Sequence, residues 1–192
     1  DVYKRQDKWI AENGDNAAKE QVAKTSFNPA LGHICTIGYA INDDPALAIQ
    51  AECIEHESEI IEEFFESIQT PGQNCIVGHN VVGFDIRFIL NRAVILGVPI
   101  PHKVVFPRDP KPWGDDIFDT MIAWSGTKDR ISQDNLCRAL GIRGKGDFNG
   151  SMVAAAWANG EYQKIASYCI DDVETVRAIH DRFRLSLIHI SE

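Results

Sequence analysis

Two short constellations in this sequence hold residue types that could do chemistry. The first is GHNVVGFD, from Gly78 to Asp85. It lies where an apolar run at 74–79 gives way to a helical pattern. Asp85 therefore stands just past the carboxyl end of a strand, where sites gather in open α/β sheets. A carboxylate there can hold a hard divalent cation through oxygen. Gly83 permits a close approach of backbone or substrate. Asn80 can donate to a phosphate or a sugar, and Phe84 can stack on a base or fill the core. The second constellation is YCIDD, from Tyr168 to Asp172. Residues four apart share one face of a helix, so Tyr168 and Asp172 project together while Asp171 turns aside. A phenol beside a metal-binding carboxylate can orient a water for attack. Each motif also has a plain structural reading. Asp85 could simply complement a helix dipole, and Tyr168 and Asp172 could be a half-buried aromatic and an exposed acid on an amphipathic helix.

The surrounding pattern predicts the elements that would position these groups. After a polar stretch, HICTIGYAI at 33–41 has strand composition. NDDP signals a turn, and 46–54 reads as a second strand closing a hairpin. Apolar residues at Ile60, Ile61, Phe64, Phe65 and Ile68 give 57–69 a helical period. The run 74–79 reads as a buried strand, and 84–96 as a helix stopped by Gly97. Five prolines make 98–113 an irregular loop. Helices are predicted near 120–124, at 133–140 and at 151–158, with a long one over 162–184. Strands first, helices interleaved and helices last indicate an α/β fold with a mixed sheet flanked by helices.

Taken together, N-x-x-x-F-D (Asn80 to Asp85) and Y-x-x-x-D (Tyr168 to Asp172) resemble the second and third motifs of the DEDD exonucleases. Ser167 occupies the position where a sister group carries histidine, so the resemblance is to the tyrosine subclass. The segment GIRGKGDFNGSMV (141–153), preceded by DNLCRALG and followed by YCIDDVETV, is similar to the predicted 3′–5′ exonucleases related to the proofreading domain of family-B DNA polymerases. The resemblance runs from about residue 29 to 184. It implies an RNase H-like fold and hydrolysis of phosphodiester bonds at 3′ ends. It also implies two Mg²⁺ or Mn²⁺ ions, about 3.5–4 Å apart in sites of this kind. Asp85 and Asp172 would be metal ligands, with Tyr168 the third catalytic position. Asn80, Phe84 and Lys145 would meet substrate, a nucleic acid with a 3′ end, single-stranded DNA being favoured. A polymerase partner is left open.

The sequence departs from that family at its first motif, D-x-E. The acids before the first hairpin are Asp1, Asp7, Glu12, Asp15 and Glu20, and none forms a D-x-E pair or sits on an apolar run. The ends DVYKRQ and LSLIHISE continue no periodic element. The expectation is a truncated domain with its first strand missing and low activity by itself. It divides as a polar segment over 1–28, an exonuclease-like domain over 29–184 and a non-native tail over 185–192. The alternatives are a catalytically inactive RNase H-like module that binds nucleic acid, and a different metal-dependent hydrolase recruiting Asp119 or Asp171.

Composition bounds these readings. The chain has 192 residues, 44% hydrophobic and 24% charged, as an ordinary globular domain would. No stretch approaches the roughly 18 apolar residues of a membrane-spanning helix, and no signal segment opens it, so a cytoplasmic protein without a membrane partner is expected. A net charge of −9 excludes a passive DNA-coating protein better than it excludes a nuclease, whose bound cations reverse the local sign. The five cysteines form no CxxC pair, and their apolar settings predict small core residues. Asp119 (IFDTMIAW) reads as a helix N-cap. His102, Lys103, Arg108 and Lys111 give the proline loop a local positive excess. Trp113, Trp124 and Trp157 are expected in the core.

Overall fold

Strand β1 (Thr36–Tyr39) and strand β2 (Leu47–Gln50) pair antiparallel, with Thr36 opposite Gln50 and Tyr39 opposite Leu47. Alternation along both strands turns Ile37 and Ile49, which face each other, into the core. The predicted hairpin is present, with each strand shorter than the sequence suggests, because the chain leaves β2 for a bend and a single 3₁₀ turn at Ile54–His56. In this computed structural model the described residues are 25–69, 75–100, 107, 111, 116–144 and 146–188.

Helix α1 (Glu57–Ser67) buries Ile60, Ile61, Phe64 and Phe65 along one stripe, as its period predicts. Strand β3 (Ile76–Gly78) leads through a tight turn into helix α2 (Asp85–Leu96). That helix ends at Gly97, whose φ of 72° is the left-handed conformation that glycine adopts without penalty. Strand β4 (Ile117–Asp119) pairs parallel with β3, Gly78 opposite Asp119. The sequence pattern misses β4: three residues are too few to show a period, and its neighbours Thr120 and Met121 already read as helix.

Helices α3 (Thr120–Ser125), α4 (Gln133–Leu140) and α5 (Val153–Ala158) follow, and α6 (Tyr162–Ile188) closes the fold. Helix α6 is predicted to end at 184 and instead runs on to Ile188. It packs along β1 and β2 and also touches β3, α3, α4 and α5. One cluster joins Ile37, Ile49, Ile61, Phe65, Ile86 and Ile117, so both strand pairs share a core. A smaller cluster centres on Leu136, Cys137 and Ile179. The architecture is mixed α/β, small sheets flanked by helices.

A buried ion pair ties the start of this domain together. Glu57 and Arg92 are nearly inaccessible to solvent, and Arg92 donates to the Glu57 carboxylate through Nε at 2.7 Å and through Nη2. The same carboxylate accepts from the Ile34 amide at 2.8 Å and meets His33 Nδ1 at 3.1 Å. Arg92 Nη1 donates to the Pro29 carbonyl at 3.0 Å. Burial by itself would raise the Glu57 carboxyl pKa. The hydrogen bonds from Arg92, the Ile34 amide and His33 outweigh it and hold the group below its ordinary 4.5.

Two expectations about the core need correction. Trp124 is 47% exposed at the end of α3, where its ring meets Phe183 edge-on. Thr120 and Met121 are buried at the start of that helix, whereas Trp124 lies in its last turn. Cys75 is exposed, because it precedes β3 instead of lying within it, whereas Cys137 is buried and Cys35, Cys53 and Cys169 are half-buried. Trp157 does pack on the main cluster. Trp113, His102, Lys103, Arg108 and residues 1–24 lie outside the described residues, and Lys111 is exposed.

Candidate active site

The turn between β3 and α2 carries the first motif. Gly78 ends β3 so close to Val81 that a Cβ there would come within 2.5 Å of the valine side chain. Asn80 follows with φ of 61°, a left-handed conformation that asparagine tolerates better than most residues. Its carbonyl accepts from the Phe84 amide at 2.9 Å, and the Val81 carbonyl accepts from Ile86 at 3.1 Å. The turn is thus wound directly onto the helix that Asp85 begins. Asp85 is exposed in the first turn of α2.

Asp119 fixes this turn from the neighbouring strand. Its Oδ1 accepts from the Asn80 amide at 2.9 Å, and its Oδ2 from the Val82 amide at 3.1 Å. It also caps α3 by accepting from the Met121 and Ile122 amides. The N-cap role is the one its sequence context predicts. The second role, holding residues 37–39 positions away, has no local signature. His79 adds a further brace, its Nδ1 2.9 Å from Thr120 Oγ1 and its Nε2 2.9 Å from the Ile131 carbonyl.

Gly83 does not leave open space beside the turn. The Asn80 side chain folds over it, and a Cβ at position 83 would meet Asn80 Oδ1 at 2.6 Å. Phe84 is half-buried in an aromatic row, 6.0 Å from Phe27 and 5.3 Å from Phe88 between ring centroids. Lys145 lies outside the described residues.

The second motif sits midway along α6. Tyr168 and Asp172 are both half-buried and one helical turn apart, while Asp171 is exposed. Two contacts fix this stretch of helix. A Cβ at Gly38 of β1 would lie 2.9 Å from the Cys169 carbonyl oxygen, so glycine permits the close packing of strand and helix there. Gln133 Nε2 of α4 donates to the Asp172 carbonyl at 3.2 Å. Further along, Glu174 accepts from the Ala46 amide at 3.2 Å, and Arg177 donates to the Asn42 and Asp44 carbonyls, clasping the hairpin turn.

Phe148, in the loop before α5, was not singled out by the sequence. Its ring meets Tyr168 edge-on at 5.2 Å, and Lys164 Nζ lies 5.3 Å from its centroid. The nearest signal was its place within the segment 141–153. The chemistry of the donors suits hard cations, since Asp85 and Asp172 offer carboxylate oxygens. Among the described residues, no three histidines, cysteines or acids gather closely enough to hold a metal by themselves. Also among them, no helix is long and apolar enough to cross a membrane.

Small sheets flanked by helices, with a strand-to-helix turn bearing one acid motif and a long closing helix bearing the other, fit an RNase H-like exonuclease domain. Residues 30–191 match the family described as predicted 3′–5′ exonucleases related to the exonuclease domain of PolB, and the chain belongs to that family. It is also similar to the DNA polymerase of Archaeoglobus fulgidus, 25% identical over 154 residues that cover 75% of this chain and 19% of the polymerase. The chain therefore matches only about a fifth of that relative's length.

Proposed function

We propose that this protein is a metal-dependent 3′–5′ exonuclease of the tyrosine DEDD kind, acting on nucleic-acid 3′ ends, with single-stranded DNA the favoured substrate and residues 29–184 the catalytic domain. The observation that carries the reading is the pairing of Tyr168 and Asp172 one turn apart on α6, within a family of predicted exonucleases. Asp85 and Asp172 would hold Mg²⁺ or Mn²⁺. When bound, such ions lower the pKa of an attacking water and stabilise the entering and leaving oxygens. Tyr168 would orient that water through its phenol. Asn80 would brace the turn that presents Asp85 and meet the strand end, with Phe84 and Lys145 as further contacts to substrate.

The test is digestion of 5′-labelled single-stranded DNA by the full-length protein, carrying a D-x-E strand ahead of this domain, with Mn²⁺. The expected result is a ladder shortened from the 3′ end, abolished by Asp172→Ala. Undiminished degradation by that variant would sink the assignment. A second reading is an inactive module that binds nucleic acid. It predicts retention of the DNA in a binding assay with no Mn²⁺-dependent shortening.

A further inference from the structure

Helix α6 carries a second group of side chains beyond the acid motif. Phe183 lies almost three whole turns after Asp172, so the two share one stripe of the helix about 16 Å apart along its axis. The rings of Phe118 and Trp124 meet Phe183 edge-on, at 5.6 and 6.5 Å between centroids, and His180 meets Phe118 at 4.9 Å. Phe118, His180 and Phe183 are half-buried and anchor the group. Trp124 forms its outer edge, where about half of the residue faces solvent.

Cations border this edge. Arg130 is exposed next to Ile131, which packs on the cluster of Leu136, Cys137 and Ile179 together with Phe183. Arg184 is exposed directly after Phe183, and its charge reaches His180. Burial first, and then Arg184, hold that imidazole below its ordinary 6.5, with Asp181 opposing. Lys128 and Arg182 are exposed close by in sequence, set against Asp129 and Asp181. The local balance is positive in a chain whose net charge is −9.

Single exposed apolar side chains are ordinary on a protein surface. Here the indole is held by a neighbouring ring and flanked by guanidinium groups, a flat face beside positive charge, which suits a stacked base and its phosphates. A purely apolar partner would leave the guanidinium groups unpaired. An acidic peptide has no regular series of flat rings to lay on the indole.

We propose that Trp124, Arg130 and Arg184 form a second contact for a single nucleic-acid strand, upstream of the 3′ end held at Tyr168 and Asp172. The proposal rests on the exonuclease reading for the presence of that strand. At the rise of a stacked strand, about 3.4 Å per nucleotide, the separation along α6 corresponds to about five nucleotides. A strand of three nucleotides therefore reaches the acid motif alone, and one of twelve covers both places.

The test follows fluorescence anisotropy of 5′-labelled oligothymidylates of these two lengths with the full-length protein in EDTA, where nothing is cut. Trp124→Ala is expected to weaken binding of the longer strand about tenfold, the loss of one base–aromatic stack, and to leave the shorter one unchanged. Trp124→Phe keeps a ring against Phe183 and is expected to retain most of the affinity. Arg130→Ala and Arg184→Ala should each lower the salt slope of binding by about 0.7.

Unchanged affinity of Trp124→Ala for the longer strand, an equal loss at both lengths, or no binding by the unaltered protein overturns the contact. Binding of poly-glutamate that depends on Trp124, with strand binding that does not, overturns it in favour of an acidic protein partner. The digestion assay reports separately on the reading beneath it. A protein that shortens DNA while its strand affinity ignores Trp124 keeps the exonuclease and loses this contact. A protein that cuts nothing, yet holds the longer strand through Trp124, keeps the contact and loses the exonuclease.

Discussion

Asp119 and Asn80 are 39 positions apart, yet the carboxylate of one accepts the backbone amide of the other at 2.9 Å. Because the same carboxylate accepts from Val82 and caps α3, four backbone amides converge on one buried side chain. Asp119→Ala is therefore expected to cost about 2–4 kcal/mol, combining a lost cap with buried amides left unsatisfied. Urea unfolding would measure it. Asp119→Asn should recover part of the loss, since its amide oxygen still accepts but its NH₂ group meets another donor.

Gly38 makes the comparable contact on the other motif. With the Cys169 carbonyl 2.9 Å from where a Cβ would sit, Gly38→Ala must push strand and helix apart. The expected destabilisation is about 1–3 kcal/mol, as for other overpacked sites. Thermal unfolding would reveal it. If Tyr168 and Asp172 act as proposed, Mn²⁺-dependent cleavage should fall along with it.

Breaking the Glu57–Arg92 pair from one side should be costly. Arg92→Met leaves a buried carboxylate with only the Ile34 amide and His33, for a loss of about 3–5 kcal/mol. Adding Glu57→Leu to Arg92→Met removes the stranded charge and should restore much of that loss. A double-mutant cycle in urea would give the coupling, and purely additive effects would contradict it.

The same pair sets an acid dependence. The folded pKa of Glu57 lies below its ordinary 4.5, so its contribution is fully present above that value and is lost as pH falls through the folded pKa. Protonation also neutralises the charge that Arg92→Met strands. The gap in stability between the unaltered protein and Arg92→Met should therefore narrow from pH 7 to pH 3.5 in denaturant titrations. A constant gap would refute the account.

How far these features can be read from the residues alone depends on how local their causes are. Helices α1, α2 and α4 announce themselves because their apolar stripes and their left-handed glycine stops at Gly97 and Gly141 are written within one segment. The positions of Asp85, Tyr168 and Asp172 follow from motif spacing in the same way. Strand β4 is hidden because three residues show no period, and its pairing with β3 crosses some 40 positions of chain. The second role of Asp119, the glycine contact beneath Cys169 and the ring contact of Phe148 with Tyr168 are all tertiary, each made by a residue whose partner the local pattern does not name.

The clasp between α6 and the first hairpin has a consequence for the order of assembly. Arg177 reaches the Asn42 carbonyl across 135 positions, and Glu174 meets Ala46 across 128. Closing so long a loop is entropically costly before any contact rewards it. A nascent chain emerging from the ribosome can close its hairpin early and cover the Ile37/Ile49 face with α1, but the opposite face, at Gly38, must wait for α6. The Tyr168/Asp172 face gains its fixed surroundings in that last docking step, so an interrupted translation product would carry the Asp85 turn without the helix that completes the fold.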